Sequence, residues 1–214
     1  IVLVNFKTYE KGTGKNAVEL AKACEKAASS GKALVAVAVQ ASDIFQVSGA
    51  VSIPVFAQHI DSKPYGKNTG FTLLEAVKEA GAAGTLLNHS EHKLDLKEIA
   101  EAIKRCRGKL TTIACAADAE EAAKIAELKP DFIAIELPEL ISGKVSIAKA
   151  DPSSITAAIE AAKGVPVLAG AGVQDGTDMK TALELGTEGV LISNAVVNSE
   201  EPEKVVRSLV GGAE

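Results

Sequence analysis

Short apolar runs alternate with longer segments of helical period along the 214 residues of the chain. The runs are rich in Val, Ile and Leu, whereas the segments between them are rich in Ala, Glu and Lys. The runs predict eight strands, at 1–6, 33–39, 55–59, 85–88, 110–115, 132–136, 165–169 and 190–193. Several are apolar at nearly every position, which is typical of parallel strands covered on both faces. The pattern therefore predicts an α/β protein with a parallel sheet.

Eight strand and helix pairs favour a closed (β/α)8 barrel, with the whole chain, 1–214, as a single domain. This length is near the lower limit of about 200 residues for such a barrel, so we expect short loops and some reduced helices, for example at 42–47. A solenoid would give similar strand spacing, but no repeated residue pattern accompanies it. The connection at 60–70 is polar and too long for a tight turn, which calls for a functional or interface role.

Several helix starts are marked by side chains that can accept hydrogen bonds from the free amides of a first helical turn. Asp151 followed by Pro152 predicts an N-cap and a first-turn proline. Capping boxes are predicted for the pairs Thr72 with Glu75, Asp95 with Glu98, and Asp118 with Glu121.

Composition excludes several classes of function. The formal net charge is -5 and no basic run is present, so nucleic-acid binding is not expected. The apolar runs are far shorter than the roughly 18 residues of a membrane span. Cys24, Cys106 and Cys115 are too few and too widely spaced for a disulfide framework or a zinc site, so we expect buried thiols and no metal. With no leader pattern at its start, the chain is expected to be cytoplasmic.

Catalytic groups of a (β/α)8 barrel lie at the carboxyl ends of the strands, so polar residues there are the candidates. They are Asn5, Lys7, His89, Glu91 and Glu136. Glu136 stands out because it ends a continuous apolar strand. Each also has an ordinary structural explanation: a solvated loop lysine, a histidine bonded to backbone, or a carboxylate in a salt bridge.

These residues resemble the active site of the triosephosphate isomerase family. Asn5-Phe6-Lys7, then Asn88-His89-Ser90-Glu91, then Glu136 followed by Pro138-Glu139-Leu140-Ile141, occur in the order and at the strands where that family carries its site. The likeness covers essentially the whole chain, and its short helices resemble the compact archaeal type. The resemblance implies a TIM barrel that interconverts dihydroxyacetone phosphate and glyceraldehyde 3-phosphate without a cofactor.

The resemblance also implies a role for each candidate. Glu136 would be the base and His89 the electrophile, Lys7 and Asn5 would bind the polar end of the substrate, and Glu91 would orient this set. Thr69 in the long third loop would enter the site of a neighbouring subunit, which implies a homodimer or homotetramer. The substrate phosphate would lie against Ile141 and Ser142 of the sixth loop, Gly172 after strand seven, and Ser193 and Asn194 opening the last helix.

The sequence departs from the family at three places. Leu137 stands where a proline usually follows the glutamate, Ser142-Gly143-Lys144 replaces Gly-Thr-Gly in the lid, and Ser193-Asn194 replaces paired small residues. Backbone amides survive these changes, but the motion of the lid and the turnover rate are left open.

Two other interpretations remain open: another phosphate-binding barrel enzyme, such as an aldolase or lyase, and an inactive barrel that binds a phosphometabolite or serves in assembly. A dinucleotide fingerprint at Gly170-Ala171-Gly172 is disfavoured because its third glycine is displaced to Gly176.

Overall fold

The computed structural model describes residues 1–136 and 147–214. Eight parallel strands close into a barrel in which each strand pairs with its neighbours in sequence and β8 pairs with β1. The strands are β1 (Val2–Asn5), β2 (Val35–Val39), β3 (Val55–Ala57), β4 (Gly84–Leu87), β5 (Thr111–Ala116), β6 (Phe132–Ile135), β7 (Val167–Ala169) and β8 (Gly189–Ile192). All eight predicted strands are confirmed, with ends that differ by at most two residues.

Helices follow the strands around the outside of the barrel. They are α1 (Lys15–Ala28), α2 (Ile44–Ser48), α3 (Leu74–Glu79), α4 (Leu96–Cys106), α5 (Ala119–Ala126), α6 (Ile147–Ala150), α7 (Pro152–Ala161), α8 (Gly176–Glu184), α9 (Asn194–Val197) and α10 (Pro202–Gly212). The helix after β2 has only five residues, which confirms the reduced helix predicted there. None of the described helices has the length and apolar character needed to cross a membrane.

Alternation along the strands divides the buried apolar side chains into two layers. One layer fills the barrel interior and includes Leu3, Phe56, Ile113 and Leu191. The other packs between the sheet and the helices. The three cysteines are free and buried, as predicted. The interior is thus a packed core, and the open space of the barrel lies at the ends of its strands.

Two of the four predicted helix caps are confirmed in full. Asp95 and Glu98 form a reciprocal capping box at α4, and Asp151 accepts from the Ser154 amide with proline at the first turn of α7. Asp118 also caps α5 by accepting from the amide of Glu121, but the Glu121 carboxylate accepts from the Ala117 N–H and not from the Asp118 N–H, so the box is incomplete.

The cap predicted for Thr72 with Glu75 is wrong. Helix α3 begins at Leu74, and its N-cap residue Leu73 makes no side-chain capping bond. The carboxylate of Glu75 instead accepts two hydrogen bonds from Arg105 of α4, each at 2.9 Å. Both bonds come from Nη2 of Arg105, and hydrogen bonds between charged groups are stronger than neutral ones, so the tertiary contact decides where this side chain lies.

Candidate active site

The exit of β1 fixes a lysine in an unusual backbone conformation. Lys7 has a φ of +49°, in the left-handed region that is strained for a residue with a side chain. Its N–H donates to Asn5 Oδ1 at 3.0 Å, and its carbonyl accepts from Gln58 Nε2 at 2.8 Å. Asn5 is only 4% exposed. The two bonds hold the strained turn and fix the point from which the lysine side chain extends.

The ammonium group of Lys7 is paired with a carboxylate from the β4 loop. Lys7 Nζ lies 2.6 Å from Glu91 Oε1, and the Lys7 side chain is 10% exposed whereas that of Glu91 is 56% exposed. A largely buried cation needs such a partner. Glu91 is therefore the carboxylate that pairs with the Lys7 ammonium.

His89 follows β4 and is 7% exposed. The Glu91 N–H donates to His89 Nδ1 at 3.1 Å. Because a backbone amide can only donate, Nδ1 must carry a lone pair, and the ring proton of the neutral imidazole is on Nε2. The Glu91 carboxylate, 3.7 Å from Nδ1, is too far away for a hydrogen bond. The turn therefore presents a neutral imidazole whose N–H donor is Nε2.

That donor meets the carboxylate at the end of β6. His89 Nε2 lies 3.2 Å from Oε1 of Glu136, which is 3% exposed. The second oxygen, Oε2, is buried and receives no normal hydrogen bond within the described residues. The Cys115 thiol is close by: burial, and then the charge of Glu136, raise the pKa of Cys115 well above its usual range. A buried carboxylate with one unbonded oxygen can accept a proton.

A glycine leaves the space that the Glu136 side chain occupies. Gly170 directly follows β7, and a Cβ atom there would lie 2.7 Å from Glu136 Cγ and 2.9 Å from the Ile135 carbonyl oxygen. Both distances are shorter than real Cβ contacts. Only glycine at this position is compatible with the observed place of the carboxylate.

One cavity at the strand ends brings together most of the predicted site. It is lined by Asn5, Lys7, His89, Glu136, Gly172, Ser193 and Asn194, among others. Gly172 has a φ of +67°, a conformation that glycine adopts without strain. Ser193 precedes the first turn of α9, where backbone amides lack intrahelical acceptors. Glu91 instead lines an adjoining cavity together with Lys7 and His89.

The remaining predicted residues are not part of this cluster. Thr69 lies on the long connection after β3, is exposed, and lines neither of the two cavities. Ile141 and Ser142, with the lid differences at Leu137 and Lys144, lie outside the described residues.

Three residues that the sequence analysis did not select also contact the cluster. Gln58 follows a buried strand, so the search for polar residues at strand ends could have found it. Cys115 was assigned only as a buried thiol, and no sequence signal places it beside Glu136. Gly170 was considered only as part of a dinucleotide pattern, and its contact with Glu136 becomes visible only when β6 and β7 are paired.

Comparison with known proteins gives one consistent result. The family model described as triosephosphate isomerase matches residues 1–209. The triosephosphate isomerase of Methanoculleus marisnigri is 44% identical to the chain over 98% of its length and 96% of the relative's. The protein of the same name from Methanothermus fervidus is 43% identical, over 98% and 97%, and that of Methanosarcina acetivorans is 40% identical, over 98% and 96%. With its closed barrel and strand-end cluster, the chain belongs to the triosephosphate isomerase family.

Proposed function

We propose that the chain interconverts dihydroxyacetone phosphate and D-glyceraldehyde 3-phosphate through an enediolate, with Glu136 as the base and His89 as the electrophile. The observation that carries this proposal is the contact of 3.2 Å between His89 Nε2 and Glu136 Oε1 in a buried site. It places a proton acceptor and a neutral hydrogen-bond donor side by side, as removal of a proton next to a carbonyl requires.

In the proposed reaction, Glu136 takes a proton from the carbon next to the substrate carbonyl. The electron pair of the broken C–H bond forms the carbon–carbon double bond of the enediolate, and the carbonyl oxygen becomes negatively charged. The N–H of His89 donates to this oxygen, and the Lys7 ammonium adds a fixed positive charge in the same cavity. The hydroxyl proton on the first carbon then moves to the former carbonyl oxygen, so that the new carbonyl group forms on the first carbon, and Glu136 returns its proton to the former carbonyl carbon to complete the isomerisation.

We place the phosphate at the backbone amides of Gly172, Ser193 and Asn194. These residues line the cavity that also holds His89 and Glu136. Free amides at the start of a helix, and phosphate sites after strands seven and eight, favour an anion there. Ile141 and Ser142 complete the phosphate site in this proposal, on the family resemblance alone.

No observation on the described residues favours the other barrel chemistries. An aldolase that forms a Schiff base needs an unprotonated lysine at a strand end. Among the described residues, the lysine that lines the cavity is Lys7, and its Nζ is engaged by the Glu91 carboxylate at 2.6 Å rather than left free as a nucleophile. The family match likewise gives no support to an inactive binding or assembly protein.

We also propose a cytoplasmic homodimer or homotetramer, built from one barrel domain per chain. The connection at 60–70 carries exposed Thr69 and Tyr65, and Tyr65 is 74% exposed. A cavity of about 610 Å³ beside the active site is lined by Lys7, His89 and Glu91 and is large enough to take a loop tip. Insertion of Thr69 from a second copy would cover this cavity and stiffen the catalytic groups.

The cytoplasmic location in this proposal is supported by the cysteines, because three unpaired cysteines suit a reducing compartment.

The test is the substitution Glu136→Gln, which keeps the size of the side chain but removes the base. We expect kcat for glyceraldehyde 3-phosphate to fall by at least about 10²-fold, as is usual when acid–base catalysis is lost. Competitive inhibition by inorganic phosphate should change little, because the anion binds elsewhere in the cavity. Glu101→Gln, at an exposed position of α4, is the matched control and should behave like wild type. Retained turnover in Glu136→Gln would overturn the assignment of the base.

A further inference from the structure

The turn that carries His89 depends on the residue before it. Asn88 is 1% exposed and has a φ of +57°, in the left-handed region. Among residues with a side chain, asparagine enters this region at low cost. The direction in which the chain leaves β4, and with it the starting point of the imidazole, is set at Asn88.

The side chain of Asn88 is bonded at both ends. Its Oδ1 accepts from the Leu94 N–H at 2.9 Å, which closes the loop around His89. Its Nδ2 donates to the Cys115 carbonyl at 2.9 Å and to Glu121 Oε1 at 2.9 Å. Both N–H donors of the amide are therefore used. One bond joins the exit of β4 to β5, and the other joins it to the first turn of α5.

Glu121 is the charged end of this chain of contacts. It accepts from Asn88, from the Ala117 N–H at 2.7 Å and from Lys93 Nζ at 2.6 Å. Burial alone would raise the pKa of Glu121, but the hydrogen bonds from Lys93, Ala117 and Asn88 outweigh it and hold that pKa below its usual value. Glu121 is therefore ionised at neutral pH, and hydrogen bonds to a charged acceptor are the stronger ones.

The same contacts reach both members of the catalytic pair. Asn88 is covalently next to His89, and its amide is bonded to the carbonyl of Cys115. Cys115 in turn lies beside Glu136, whose charge raises the pKa of its thiol. Strand β5 lies between β4 and β6 in the barrel. A shift of Asn88 relative to β5 would therefore change the distance between His89 and Glu136.

We propose that Glu121, acting through the Asn88 side chain, is a positioning residue that aims the His89 imidazole at the substrate carbonyl and at Glu136. This inference rests on the proposed isomerase function, because it assigns a catalytic use to the orientation of His89. It goes beyond the residues that line the cavity, since Glu121 contacts neither His89 nor Glu136 and acts only through bonds made by its neighbours.

Two substitutions separate positioning from general stability. Asn88→Gly removes the amide, and glycine adopts a φ of +57° without strain. Glu121→Gln keeps the shape of the side chain but removes its charge, so the bonds from Asn88, Ala117 and Lys93 weaken together. Glu120→Gln is the matched control, because Glu120 is exposed on the same helix and its side chain pairs with Lys124 on the helix surface.

We expect kcat to fall by roughly 10- to 100-fold in Asn88→Gly and Glu121→Gln, by analogy with the loss seen when the outer partners that orient metal-binding histidines are removed. The KM should change by less than about threefold, because the phosphate is bound elsewhere. Nitrogen-15 NMR gives a second readout, since the chain has only three histidines. In wild type, Nδ1 of His89 should be unprotonated and Nε2 protonated, and both variants should show altered or averaged signals.

Unchanged kcat and unchanged His89 signals in both variants would overturn the proposal. The proposal would also be overturned if kcat and the melting temperature fell together in the variants while the His89 signals stayed the same as in wild type. That result would show a loss of loop stability and no change in the state of His89. The proposed isomerase function and the proposed positioning role of Glu121 can be refuted separately. If wild type does not isomerise triose phosphates, the proposed function fails, whereas the NMR signals still report whether Asn88 and Glu121 set the state of His89.

Discussion

Replacing Gly170 with alanine should move the Glu136 carboxylate while leaving the rest of the cavity in place. The added Cβ would lie 2.7 Å from Glu136 Cγ and 2.9 Å from the Ile135 carbonyl oxygen. Carbon atoms in contact prefer separations of about 3.5–4.0 Å, so one of these groups must give way by about 1 Å. Ile135 is fixed in the β6 ladder, paired with Ala169 of β7, so the side chain of Glu136 is the part that moves.

The expected loss follows from that displacement. A shift of about 1 Å in a reacting group can lower the rate by about 10²-fold, so kcat should fall by that order. Overpacking should cost about 1–3 kcal/mol of stability, which leaves a folded protein at 25 °C to assay. Inhibition by inorganic phosphate should be nearly unchanged, because Gly172, Ser193 and Asn194 do not contact the new methyl group in this prediction.

The matched control adds the same methyl group where space is free. A Cβ at Gly211 in α10 meets no atom within 4 Å, so Gly211→Ala should retain wild-type kcat. Both variants would be compared in a coupled assay of glyceraldehyde 3-phosphate isomerisation, with thermal unfolding recorded alongside. If Gly170→Ala is folded and its kcat stays within about threefold of wild type, the steric control of Glu136 by Gly170 is refuted.

Three further predictions concern assembly, pH and stability. Tyr65→Asp should weaken association, as measured by analytical ultracentrifugation, and should lower isomerase activity at nanomolar protein concentration. A wild-type protein that is monomeric and fully active would contradict this. Burial lowers the pKa of His59, which stacks on His92 at 4.2 Å and faces Asp61 and Glu98. As pH falls below about 6.5, the imidazole of residue 59 is therefore protonated in the unfolded state before it is protonated in the folded state, and the free energy of unfolding of wild type should fall. The variant His59→Gln should lose less stability over the same pH range. Melting temperatures that fall in parallel with pH for the two proteins would refute this. Asp95→Ala should cost about 1 kcal/mol through loss of the α4 cap, seen as a melting temperature lower by roughly 2–4 °C.

The sequence predicted the strands well because their signal is local. Continuous apolar runs such as Phe132–Ile135 are typical of strands covered on both faces, and this run ends at the charged Glu136. Caps were less predictable. Asp95 and Glu98 satisfy each other within one turn, whereas the carboxylate of Glu75 has a stronger partner in Arg105, which lies 30 residues away.

The site residues show the same division. That Asn5, His89 and Glu136 end strands can be read from the sequence, and barrel closure then brings such ends to one side. Their distances cannot be read in this way. The contact of 3.2 Å between His89 and Glu136 depends on the left-handed turn at Asn88, and the space for Glu136 depends on the alignment of β6 with Gly170.

The central claim is that Glu136 removes a carbon-bound proton from a triose phosphate, and proton NMR of the reaction in D2O tests it most directly. A base that exchanges its proton with solvent should deliver deuterium, so isomerised product should carry deuterium on carbon. Wild type should produce labelled product, whereas Glu136→Gln should produce almost none while Glu101→Gln matches wild type. Equally rapid isomerisation, or equal labelling, by Glu136→Gln would contradict the role of Glu136.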